Sequence, residues 1–464
     1  MKYSLLFFST FVISIVSFSQ ETFPTNGAPD KRHTYYAFTH AKLFSDYQTV
    51  VDNATLLIKD GIIVDAGASV IIPKEAVVYD LKGKYIYPSL IDAYTTYGMP
   101  EIKKNTRAGR STQMENNLKG AYGWNQAIRP EIEADRLFVV DSKVAEEFLK
   151  LGFGTVMTFN RDGIARGSSV VVTLADKNEN NVIIKEKGAA MYSFLKGTST
   201  QDYPGSLMGA IALLRQTYCD ALWYKQTNAT KQDKEYNISL DAWNRIQSLP
   251  QIFEVNDKLS VFRADKIGDE FKMQYIIKGS GDEYQRIDDI KLTNARFILP
   301  LNFPGTLDVE DPYDADMVSY AELKNWEMAP LNPVAFEKNF ISFALTTDGL
   351  KDKKEFWKNL RKAVEYGLSE KAALKALTVT PAEMLGVQEK VGALKKGMLA
   401  NFIITSGSLF QDKSSIYENW VQGKQYVFKD INIADIRGKY SLQVGENKYN
   451  MTVSGEVEKP QVEI

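Results

Sequence analysis

Short apolar runs separated by turn residues open the chain, and a different texture begins after Pro88. Residues 54–59 (ATLLIK) are apolar, Asp60-Gly61 is a hairpin dipeptide, and 62–66 (IIVDA) resumes beyond it. Residues 76–80 and 84–87 add two short strands around Lys82-Gly83. This pattern predicts a small antiparallel sheet ahead of any long helix.

From residue 89 onward, apolar runs of strand length alternate with helical stretches. Residues 155–159 (TVMTF), 169–174 (SVVVTL) and 297–301 (FILPL) read as strands, while 141–151 and 207–223 have helical spacing. Such alternation favours an α/β fold, a TIM-like (β/α)8 barrel, over two separate domains. An open doubly wound sheet is the rival, but no glycine-rich phosphate turn follows the first strand. Residues 343–347 (FALTT) form a strand ending at Asp348-Gly349, and Phe356, Leu360 and Val364 make one face of a helix. Ser369 caps the next helix, Thr380-Pro381-Ala382-Glu383 reads as a capping box, and Gly386 ends that helix.

Strand patterning returns at 392–405 and 416–428, and 438–458 alternates as a hairpin turning at 445–448. The expected organisation is an N-terminal arm over 20–36, a small β-sandwich domain built from 37–88 and 388–430, a barrel over 89–387, and a C-terminal hairpin extension over 431–464. A hairpin is not stable alone, so it either docks on the barrel or begins a further β-domain.

The first nineteen residues read as an export signal: Lys2 is a short positive region, an apolar stretch follows, and Ser17 and Ser19 place small residues before Gln20. A membrane anchor is the competing reading, but the run is short and no basic stop-transfer cluster follows. The expectation is a periplasmic or extracellular protein with no later membrane span. The formal charge is −2, which gives no electrostatic reason to expect nucleic acid or an anionic membrane as partner. The single cysteine, Cys219, has no partner for an internal disulfide and is expected in the core. Only two histidines occur, His33 and His40, seven residues apart, a spacing that fits no usual metal site.

Several motifs in order resemble the amidohydrolase superfamily, nearest to its imidazolonepropionase-like branch and related hydrolases of C–N bonds. Residues 80–96 (DLKGKYIYPSLIDAYTT) resemble the family's entry into barrel strand 1, where D-x-x-G-K precedes P-G-L-I-D-x-H-T-H. Residues 345–349 (LTTDG) resemble the strand-8 motif ending in the catalytic aspartate. Residues 368–386, 391–397 (VGALKKG) and 399–404 (LANFII) resemble the closing helices and the return to the small sheet. The resemblance implies a metal-dependent hydrolase barrel with one or two divalent metals, usually zinc. These are held by the strand-1 H-x-H pair, by histidines from strands 5 and 6, often by a lysine or glutamate from strand 4, and by the strand-8 aspartate. The metal would lower the pKa of the attacking water and polarise the scissile carbonyl.

The same resemblance exposes what is missing. Tyr94 and Thr96 occupy the two strand-1 positions, and Ser89 replaces a glycine. Residues 259–264 (LSVFRA) resemble the strand-5 motif and put Arg263 at its histidine. No histidine follows His40, so the strand-6 ligand is absent under any alignment. Tyrosine and threonine replace imidazole poorly on zinc, and arginine repels a cation. Asp348 alone remains as a candidate catalytic residue, with a salt bridge to Arg263 expected in place of a metal bond.

The sequence thus points to a homologue of C–N hydrolases that lacks its metal and is catalytically impaired. It would act as an exported scaffold or partner domain, with a second, active amidohydrolase domain or chain as the candidate partner. Two alternatives stay open: an active enzyme with a non-standard zinc or other divalent site around Asp348, and a barrel that binds a small molecule or peptide without turning it over.

Overall fold

In the computed structural model, the structure describes residues 34–103, 113–230, 236–431, 436–445, 447–456 and 459–464. The export signal and all but the last residues of the arm lie outside them, as does His33.

Asp60 and Gly61 both take positive φ (52° and 78°), the geometry of a two-residue hairpin whose twist matches its strands. That turn joins β2 (Val50–Lys59) to β3 (Ile62–Gly67), after β1 (Tyr35–Phe44) has paired antiparallel with β2. Next come β4 (Val77–Asp80) and β5 (Tyr85–Pro88), both parallel to β1. Three late strands complete this sheet, as described below. The small β-domain is one mixed eight-stranded sheet, seven strands on a single hydrogen-bonded path and β4 off that path on β1. The reason lies in β1, whose register shifts on either side of Ala41 let one long strand serve β4 with its first half and β5 with its second.

The α/β region begins with β6 (Leu90–Thr95), parallel to β7 (Phe153–Thr158). β8 (Ala165–Ser168) and β9 (Val170–Thr173) follow, separated by Ser169 alone. β9 runs antiparallel to β7 and also pairs with β10 (Ile183–Lys185), while β8 runs antiparallel to β11 (Ala190–Ser193). From β11 the strands are parallel in order: β12 (Gln251–Glu254), β13 (Tyr275–Lys278), β14 (Arg296–Pro300) and β15 (Phe343–Thr346). The result is two mixed sheets, β10-β9-β7-β6 and β15-β14-β13-β12-β11-β8, with no ladder among the described residues that closes them into a barrel.

Side chains join the sheets where a ladder is missing. Asp92 on β6 is buried and accepts hydrogen bonds from Thr346 Oγ1 (2.6 Å), Thr347 N (2.9 Å) and Thr347 Oγ1 (2.7 Å) at the end of β15. Apart from the half-buried β10 and the exposed Arg296, these strands are buried on both faces, as expected of strands covered by helices.

After the last helices, β16 (Phe402–Thr405), β17 (Ile416–Val421) and β18 (Lys424–Val427) join the first sheet, β16 pairing antiparallel with β5. The C-terminal segment is a meander rather than a hairpin: β19 (Gly438–Val444), β20 (Asn447–Glu456) and β21 (Lys459–Glu463). Two local expectations are corrected. Thr378, not Thr380, is the N-cap of Val379–Leu385, and its Oγ1 bonds Leu374 O instead of capping that helix. Cys219 is exposed, because it lies on the outer side of Leu207–Thr230, next to the buried Tyr218.

Candidate functional site

Counted from β6, with β8 and β9 together taking the third place and the short antiparallel β10 left out, the strands β11, β12, β13 and β15 are the fourth, fifth, sixth and eighth. Several end in a polar or charged side chain that turns toward one shared space. Ser193 closes β11, Glu254 closes β12, Lys278 closes β13, and Asp348 lies two residues past β15. Tyr94 enters from β6, Arg161 from the loop after β7, and Arg166 from β8.

These groups form one ion-pair network. Arg161 Nη1 donates to Asp348 Oδ1 at 2.7 Å, and its Nη2 donates to Glu254 Oε1. Lys278 Nζ lies 2.7 Å from Asp348 Oδ2. Arg166 Nη1 donates to Glu254 Oε2 and to the Tyr94 hydroxyl (3.2 Å), while its Nη2 donates to Ser193 Oγ (2.8 Å). The Tyr94 ring lies under both cations, 5.5 Å from Arg161 Cζ and 5.5 Å from Lys278 Nζ. Backbone geometry holds Arg166 in place. The next residue, Gly167, has φ +77°, and a Cβ there would come 1.9 Å from the Ile132 carbonyl oxygen.

Burial sets the electrostatics. It would push the Glu254 carboxyl up, but Arg166 and Arg161 overcome it and hold the group at about 2. Burial drives the Tyr94 hydroxyl well up, and the Glu254 charge adds to this, so it stays protonated. Burial would lower Arg161, but Glu254, Tyr94 and Asp348 raise it. For Asp92, burial outweighs the Thr346 and Thr347 bonds and the net shift is upward.

The positions expected from sequence divide sharply. Tyr94 and Asp348 are in the network. Thr96 is exposed on the wall of a neighbouring cavity of ≈ 870 Å³ that Tyr94 and Asp348 also line. Arg263 is a correction: it lies on the helix Lys258–Phe271, where its guanidinium is 3.6 Å from Asp257, and Asp348 takes Arg161 and Lys278 as partners instead. The apolar spacing of 259–264 belongs to that helix, and the strand before it ends at Glu254. His40 pairs with Asp80 in an exposed contact (2.9 Å), away from this site. Sequence reasoning missed Arg161, Arg166, Glu254 and Lys278. The available signal was a charged residue closing an otherwise apolar strand, as in 251–254 (QIFE) and 275–278 (YIIK).

A divalent cation does not fit this donor set. The oxygens of Asp348 and Glu254 are already hydrogen-bonded to guanidinium and ammonium groups, which would repel a metal. Among the described residues no three His, Cys, Asp or Glu side chains cluster as metal ligands.

Residues 282–430 match the model of the amidohydrolase family. Solved structures share the fold. The amidohydrolase from Thermotoga maritima MSB8 superimposes with a TM-score of 0.67 at 19% identity, over 85% of this chain and 100% of that one. A second amidohydrolase gives 0.52 at 15% identity, over 86% and 100%. A prolidase complexed with N-methylphosphonate-L-proline gives 0.50 at 12% identity, over 85% and 100%. No curated protein matches the sequence. The family match is confined to residues 282–430, and the solved structures extend the likeness, in fold, over most of the chain. Among the described residues no helix is long and apolar enough to cross a membrane.

Proposed function

We propose that this chain does not carry out the metal-assisted hydrolysis of its superfamily on its own, and that it serves as an exported scaffold or partner domain, with a second, active amidohydrolase unit as the candidate partner. The observation that carries this reading is the double engagement of Asp348 by Arg161 and Lys278. In the family's chemistry the strand-8 carboxylate takes a proton from a metal-bound water. Here its two oxygens neutralise two cations, and burial of the set makes replacing either partner costly. In this reading the two mixed sheets derive from a closed eight-stranded barrel, in which the Asp92 clasp takes the place of the β6–β15 ladder.

The test is elemental analysis of protein purified without chelators or affinity-tag metals, with assays on amide, lactam and dipeptide substrates. The expected result is substoichiometric metal and no turnover. About one or two equivalents of zinc, manganese or iron, with hydrolysis that a chelator abolishes, would overturn the proposal.

One observation favours a second reading, a binding barrel. The cavity of ≈ 870 Å³ beside Tyr94 and Asp348 is of the size that holds small molecules. Thermal stabilisation by a small molecule or peptide, unchanged by chelator, would support it.

A further inference from the structure

Between β14 and β15 the chain forms two short helices, Pro312–Met317 and Tyr320–Met328, neither of which buries a single residue. They are nonetheless well-formed helices. Asp311 accepts a hydrogen bond from Tyr313 N, and Ser319 and Glu322 form a reciprocal capping box. Their outward side chains are large and apolar. Tyr313, Met317 and Tyr320 are 83%, 84% and 79% exposed, with Leu323 and Trp326 exposed beside them. Isolated exposed apolar residues need no explanation, but a group of five on two adjoining helices marks an interaction surface.

Charge identifies what this surface meets. Residues 308–328 carry seven carboxylates against one ammonium, Lys324, and every one of those carboxylates is exposed. The next mouth loop and its helix have the opposite balance, with six basic residues against two acidic ones over 351–362. Lys351, Lys354 and Lys358 are exposed and pair with no acid among the described residues. The two patches touch, since Lys362 Nζ lies 5.6 Å from the Trp326 ring centroid. Both follow the carboxyl ends of adjacent parallel strands, so they belong to one end of the molecule.

We propose that this end docks a second copy of the chain. An acidic, apolar arm beside a basic run is self-complementary about a twofold axis, since each patch then faces its opposite on the other copy. The apolar side chains supply the buried centre, and the charges set orientation and salt dependence. This proposal is independent of metal content, so it can fail while the functional reading stands, and the reverse.

The test is sedimentation equilibrium of the full chain at low and high salt, with three surface variants. The wild type is expected to be a dimer that weakens as salt rises. Tyr313→Ser with Met317→Ser and Tyr320→Ser is expected to raise the dissociation constant by about tenfold or more, with unchanged circular dichroism. Asp314→Lys with Asp316→Lys, and Lys351→Glu with Lys354→Glu and Lys358→Glu, should each be monomeric alone and should form a heterodimer when mixed. A monomeric wild type would overturn the proposal, as would a dimer that none of the variants weakens. A monomeric wild type that binds oligolysine through this arm would overturn it in favour of a basic heterologous partner.

Discussion

Arg161 and Asp348 meet, Nη1 to Oδ1 at 2.7 Å, across the mouth of the strands, one from the loop after β7 and the other from just beyond β15. The residues are 187 positions apart in sequence. Their contact makes Asp348 part of an internal salt-bridge network, and four predictions follow from that network and its surroundings.

Glu254 and Arg166 are both almost fully buried, with side chains 4% and 3% exposed. Glu254→Gln leaves Arg166 as a buried charge without its counter-ion and is expected to cost about 3–5 kcal/mol. Replacing both residues by leucine and methionine should cost much less, because the fully buried cation leaves with its counter-ion and the partly exposed Arg161 keeps Asp348. Urea unfolding of the two variants checks this. Equal losses would show that packing, and not charge pairing, sets the cost.

The pH dependence of stability has a defined sign. Burial opposes ionisation of Glu254, yet Arg166 and Arg161 bring its folded value to about 2, below the ordinary 4.5. A depressed carboxylate contributes stability that is present above its unfolded value and lost as pH falls through the folded one. Glu254 should therefore contribute an acid limb between about pH 4.5 and pH 2. That limb is expected to be shallower in Glu254→Gln, measured as unfolding midpoint against pH. Parallel curves would remove Glu254 from the account.

Asp92→Ala takes away the acceptor for Thr347 N and for two threonine hydroxyls. One buried unsatisfied amide costs about 1–3 kcal/mol, and loss of the clasp should also expose the Thr347 amide to hydrogen exchange. Faster exchange at that amide than in the β12–β13 ladder is the expected signature.

Arg263→Ala should change stability by less than about 0.5 kcal/mol, since its contact with Asp257 is a partly exposed pair on one helix. A large loss would mean that Arg263 supports the site in a way its position does not suggest.

Much of the architecture can be read along the chain because its causes are local. The Asp60-Gly61 hairpin, the Ser369 cap and the Gly386 helix stop each depend on neighbouring residues, and the structure has all three. Asp348 was legible through its LTTDG motif, and Tyr94 through the motif it interrupts. The placement of Arg263 failed because 259–264 has apolar spacing compatible with a strand, while Asp257 in fact caps a helix there through Leu259 N and Ser260 N.

The amino-acid sequence by itself determined which residues could not form the family's metal site, since a chain without a histidine after His40 has no imidazole to bring there. It also determined most strands and caps, whose physics spans only a few residues. Only the tertiary structure decided which side chains meet at the strand ends. Arg161 follows one strand, Arg166 lies within another and Glu254 and Lys278 end two more, and their charges are tolerable in a buried site only because the fold brings opposite signs within hydrogen-bonding distance. Pairing across such sequence separations leaves no periodicity to read; it depends on strand order and on which strand ends share one space.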